Sequence, residues 1–127
     1  MNLKKTIKKK NLHKEYLKIM NGVLQLSYRE AEILSLLLKI DLEWKPIMPT
    51  DFKNVISTDN RRKVMSESRI NKNNLSKYIA MFKDKGLIVT NSFGGYEISK
   101  RLLPDISKGY IDITFILEID EDQKSTE

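Results

Sequence analysis

Ser66-Glu-Ser-Arg-Ile-Asn-Lys-Asn-Asn-Leu-Ser-Lys-Tyr-Ile-Ala-Met-Phe-Lys-Asp-Lys-Gly-Leu-Ile-Val89 decides how this 127-residue chain is read. Leu75, Tyr78, Ile79 and Phe82 recur at i, i+3, i+4 and i+7, which places them on one apolar stripe of a helix. Asn71 or Asn73 stands where the helix needs an N-cap, and Gly86 stands where a C-terminal glycine is expected. Lys83 and Lys85 fall in the last turn, where cations suit the helix dipole. The spacing therefore predicts a helix over 70–85. Its outward, N-terminal residues are Lys72, Asn73, Asn74, Ser76 and Lys77, and no acid lies between Arg69 and Lys83. An ordinary solvated helix face usually mixes both signs; a face of Asn and Lys alone offers donors to base edges and phosphates.

Downstream, Leu87–Thr90 reads as a strand, Asn91-Ser-Phe-Gly-Gly95 as a turn and Tyr96–Ser99 as the return strand, together a β-hairpin. Upstream, Thr58-Asp59 is read as capping a helix that runs to about Ser68 and turns Val64 and Met65 inward, with Arg61, Arg62 and Lys63 at its start. Thr50-Asp51 is read as capping a shorter helix through Ile56, inside a connector that begins at Pro46 and Pro49. Ser27 and Glu30 have capping-box spacing. Ala31, Ile33, Leu34, Leu36, Leu37, Leu38 and Ile40 follow, and this is the richest apolar helix of the chain. Val23–Leu26 reads as a short strand after an Asn21-Gly22 turn.

Both ends add to this centre. Residues 1–21 form a basic arm with an apolar edge at Leu3, Ile7, Leu12, Tyr16, Leu17 and Met20. The arm is either a helix packed on the domain or a segment whose Lys8, Lys9 and Lys10 lie along phosphates. At 110–119, Ile111, Ile113, Phe115, Leu117 and Ile119 alternate with Tyr110, Asp112, Thr114, Ile116 and Glu118, the period of a strand. This strand would extend the hairpin sheet, pair with Val23–Leu26 or, since an exposed apolar strand seeks a partner, form a homodimer through residues 110–119. Residues 120–127 read as an acidic, disordered tail. The domain proper then spans 22–119.

Helix, connector, helix, turn, helix, Gly, strand, Gly-rich turn and strand is an order that resembles the winged helix-turn-helix superfamily. The stretch 66–89 looks like the second half of such a domain, and Leu26-Ser-Tyr-Arg-Glu-Ala-Glu-Ile-Leu34 looks like its first helix. The likeness covers about residues 24–99 and is to the superfamily only. It implies an α+β fold, with a recognition helix at 70–85 whose Lys72, Asn73, Asn74 and Lys77 face bases. It further implies phosphate contacts from Arg61, Arg62, Lys63 and Arg69, and a wing tip at Asn91, Ser92 and Phe93. That tip departs from the pattern, because it carries no basic residue.

Charge agrees with a polyanionic partner. The chain carries a net +6. Residues 1–20 hold seven Lys against one Glu, and residues 61–86 hold eight Lys and Arg against Glu67 and Asp84. Residues 105–127 hold seven acids against Lys108 and Lys124. This last block is able to shield the basic surface from inside the molecule. The chain has no Cys and one His. Thiolate chemistry and zinc fingers are thus excluded, and no nucleophile–base set, phosphate-cradling Gly motif or carboxylate pair with metal-ligand spacing is present. Asp51 and Asp59 are explained as helix caps. No apolar run is long enough to span a bilayer, and no signal core follows the basic N-terminus. The expectation is a non-enzymatic protein of the cytoplasm, associated with the nucleoid. It would bind double-stranded DNA as a transcriptional regulator or as a replication or partition factor, with no metal, cofactor or small-molecule ligand. The alternative is a winged helix that binds protein instead of DNA.

Overall fold

A computed structural model describes residues 4–120. Among them the elements run α1 (Leu12–Leu24), α2 (Tyr28–Glu43), α3 (Thr58–Ser68), α4 (Lys72–Asp84), β1 (Ile88–Thr90) and β2 (Tyr96–Ile98), with a 3-10 turn at Lys9–Asn11 before α1. The class is α+β, four helices with a small two-stranded antiparallel sheet. The order is compatible with a winged helix.

The core is built on α2. Ser27 accepts from the Glu30 N–H at 3.1 Å while the Glu30 carboxylate accepts from the Ser27 N–H at 2.8 Å, so the expected capping box is complete. Ile33, Leu34, Leu37 and Leu38 are sealed from solvent. Against them lie Leu17 of α1, Val64 of α3, Leu75, Ile79 and Phe82 of α4, and Ile88 and Ile98 of the strands. Each such side chain contributes roughly 1.5–3 kcal/mol by leaving water. Gly86 sits at φ 74°, the left-handed conformation that lets the chain leave α4 and enter β1. The hairpin register pairs Ile88 with Ile98 and Thr90 with Tyr96.

Several expectations are corrected. Asn21-Gly22 does not turn the chain; α1 runs through it to Leu24, and Val23–Leu26 forms no strand. Gln25 instead takes the left-handed cap at φ 55°, and the Asn21 side chain clamps Leu26 by accepting from its N–H at 2.7 Å and donating to its carbonyl at 3.0 Å. Helix α1 packs on α2, and Leu17 joins the core. No helix forms at 50–56: the Asp51 carboxylate closes the Pro46–Pro49 turn by accepting from the Ile47 and Met48 N–H groups, each at 2.9 Å. The cap of α3 is Ser57, which accepts from the Asn60 N–H at 3.3 Å. Residues 110–119 form no strand in this chain, because neither edge of the small sheet pairs with them. Residues 121–127 of the acidic tail lie outside the described residues, as do residues 1–3.

Polar contacts staple distant segments. The buried carboxylate of Asp41, at the end of α2, takes Lys53 Nζ at 2.8 Å and accepts from the Ile98 N–H at 2.8 Å. The connector is held further by the Val55 N–H donating to the Tyr96 carbonyl at 2.9 Å. The buried Tyr16 hydroxyl donates to the Leu102 carbonyl at 2.6 Å, and burial raises its pKa.

His13 is shielded at the start of α1. Burial holds its pKa below the ordinary value, reinforced by Lys39 and Lys14 and opposed by Glu43 and Glu67. The folded state thus favours the neutral ring, while the unfolded chain takes up a proton near pH 6.5. This contribution to stability is full above that value and is lost as pH falls toward the lowered folded-state pKa. Between about pH 7.5 and about pH 5.5 the urea midpoint should drop, and a His13→Gln variant should flatten that dependence. A wild-type midpoint that does not fall over this range would rule the effect out.

Candidate nucleic-acid interface

The helix α4 presents two faces. Leu75, Ile79 and Phe82 are inside. Lys72, Asn73, Asn74, Ser76, Lys77 and Ala80 are exposed, and Asn73, Ser76, Lys77 and Ala80 fall in one outward row. Asn71 is the N-cap, accepting from the Asn74 N–H at 2.8 Å. That leaves the Asn73 and Asn74 side chains unbonded, and Lys72 and Lys77 without an ion pair among the described residues. A surface helix built for stability alone would place an acid three or four residues from these lysines.

The starts of α3 and α4 open on the same cleft of about 730 Å³, lined by Ser57, Thr58, Arg61, Arg62, Lys72 and Leu75 among others. Lys72 of α4 thus joins Arg61 and Arg62 of α3 at one cleft. Arg61 is half-committed: its Nε donates to the Ile56 carbonyl at 2.8 Å, which holds the guanidinium in place and leaves its terminal nitrogens without a protein partner. Arg62 makes only a loose pair with the exposed Asp59 at 3.5 Å. Two helix N-termini at one cleft add partial positive charge.

Other expected residues are placed elsewhere. Lys63 lies on the opposite side of α3, in a groove with Lys39, Glu43 and Glu67. One position along a helix is a rotation of about 100°, enough to separate it from Arg62. Lys8, Lys9 and Lys10 precede α1, which packs on α2, and they do not line the cleft. Arg69 is exposed in the turn between α3 and α4, in the left-handed conformation at φ 56°.

At the hairpin tip, Asn91 is structural. Its Nδ2 donates to the Lys53 carbonyl at 2.7 Å and its Oδ1 accepts from the Phe93 and Gly95 N–H groups, both at 3.0 Å. Gly95 is obligatory here, since a Cβ would come within 2.3 Å of the Lys53 carbonyl oxygen. Ser92 and Phe93 remain exposed. Sequence reasoning missed Ser57 and Thr58 as cleft-lining hydroxyls; their position at a helix start was the available signal.

No known family, curated protein or solved structure matches this chain in comparison. No helix of the described residues is long and apolar enough to cross a membrane.

Proposed function

We propose that the chain is a winged helix-turn-helix protein that binds double-stranded DNA, with α4 as recognition helix and the β1–β2 hairpin as wing. The observation that carries the reading is the unpaired Asn and Lys row of α4 beside the cleft shared by Arg61, Arg62 and Lys72. Asn73 and Asn74 have the bidentate geometry for adenine, and Lys72 and Lys77 donate to guanine or phosphate. Arg61 and Arg62 fix register on the backbone, as phosphate contacts do. The role follows as regulator or replication accessory factor, without catalysis. Lys8, Lys9, Lys10 and Lys63 do not line the cleft of Arg61, Arg62 and Lys72.

The test is binding to random-sequence duplex across a salt series. Wild-type affinity should fall steeply with salt. Lys72→Ala/Asn74→Ala/Lys77→Ala should bind about 10- to 100-fold more weakly and reduce the salt slope by about 2. Lys63→Ala should bind as wild type. No binding at low salt would overturn the reading. One observation would then favour a protein-binding module: the hairpin tip carries Phe93, 74% exposed, with Phe52 beside Gly95 also exposed.

A further inference from the structure

Residues 110–119 have the composition and alternation of a strand, yet none of them makes a hydrogen bond in this chain. The two halves of the segment differ. Ile111 and Ile113 are half-buried against the core. Ile116, Leu117 and Ile119 are 81%, 90% and 84% exposed. A run of β-branched and aromatic residues with every backbone group left to water is an edge without a neighbour.

We propose that the neighbour is a second copy of this chain, paired antiparallel through residues 108–120 about a two-fold axis at Thr114. This goes beyond the DNA reading and does not rest on it.

Charge and apolar matching together select the register. Parallel self-pairing would stack Asp112 on Asp112 and Glu118 on Glu118, and antiparallel pairing centred on Phe115 would set Asp112 opposite Glu118. Like charges directly opposite are destabilising. Centring on Thr114 or on Ile113 removes both conflicts, and of the two only Thr114 sets the exposed Leu117 opposite the half-buried Ile111. Lys108 then faces Asp120 of the second copy, twice over, and Thr114 faces its own counterpart, a favourable cross-strand pair. On the apolar side Ile111 meets Leu117 and Ile113 meets Phe115. The exposed half of each strand thereby lands beside the half-buried half of the other, at the edge of the other copy's core. The register accounts for why one half of the segment is anchored and the other is bare. Both strands keep all their odd-numbered residues on one face, as an isologous pairing requires.

The chain lacks cysteine, so a single introduced thiol reports on the axis. Thr114→Cys should pass largely to a disulfide-linked dimer under mild oxidation, while Ser92→Cys at the hairpin tip stays monomeric. Sedimentation of wild type should give about twice the chain mass by about 100 μM. Leu117→Asp should give one chain mass, with its far-UV spectrum unchanged because Leu117 packs on nothing in the monomer. Lys108→Asp and Asp120→Lys should each weaken association at least about threefold, and together restore it. A monomeric wild type at that concentration overturns the proposal, including one whose residues 110–119 are protected from hydrogen exchange by its own sheet. Equal cross-linking of the two cysteine variants, or dimers that persist in Leu117→Asp, would overturn it as well.

Discussion

Lys53→Met is expected to lower the unfolding free energy by about 3–5 kcal/mol, more than Asp41→Asn does. The asymmetry follows from exposure: the Asp41 side chain is 2% exposed and that of Lys53 is 22%. Removing the lysine strands a carboxylate at the end of α2 with the Ile98 N–H as its one remaining donor. A buried charge without its counter-charge is the costly case. Asp41→Asn is milder, at about 1–2 kcal/mol, because its amide oxygen still accepts from Ile98 and the lysine turns toward water. Urea unfolding of both singles and the double variant measures this. The double should be less destabilised than the sum of the singles, and strict additivity would show that the pair is not coupled. Methionine keeps the aliphatic length of Lys53, so packing on Trp44, whose ring centre lies 5.8 Å from Nζ, changes little.

The second large effect is expected at Phe82. Its ring is wholly buried where α4 meets the core, and Phe82→Ala should cost about 3–5 kcal/mol through lost transfer free energy and the cavity left behind. Phe82→Leu should cost about 1 kcal/mol, since it leaves much less empty volume. In a domain of ordinary stability, about 5–15 kcal/mol, the alanine variant removes roughly a fifth or more of the total. The outward row of α4 is untouched, so duplex binding by the folded fraction should keep its salt slope. A reduced slope in folded Phe82→Ala protein would mean that the stripe also sets the orientation of α4.

The legible parts of the fold were those encoded over a few residues. Ser27 and Glu30 cap α2 as a box, Gly86 stops α4, and the 75–82 stripe faces inward, because in each case the deciding partner is within one or two helical turns. The failures share the opposite property. Asn21-Gly22 reads as a turn until Leu26 is seen folding back on the Asn21 amide. Asp51 and Asn91 read as a helix cap and a contact residue, but the first ties a proline turn and the second bonds a connector 38 positions away. The Lys53–Asp41–Ile98 junction has no local signature at all. For the interface, the exposure of Lys72, Asn73, Asn74 and Lys77 was visible from periodicity alone. The convergence of Lys72 with Arg61 and Arg62, and the placement of Lys63 in a different groove, depend on how α3 crosses α4.

The Tyr16–Leu102 bond joins positions 86 residues apart and closes the first helix onto the segment after the hairpin. Chains grow from the N-terminus at about 5–20 residues per second. Helix α1 is therefore made early and its tyrosine waits several seconds, and the whole of the domain, for its acceptor. For most of that interval α1 and α2 carry an apolar face with no sheet to cover it, and Asp41 meets Lys53 well before it meets the Ile98 amide. Early pairing of helices is local and fast, whereas these long closures set the pace. Closure of the first helix onto the segment after the hairpin is thus expected to come late, once Leu102 has been made.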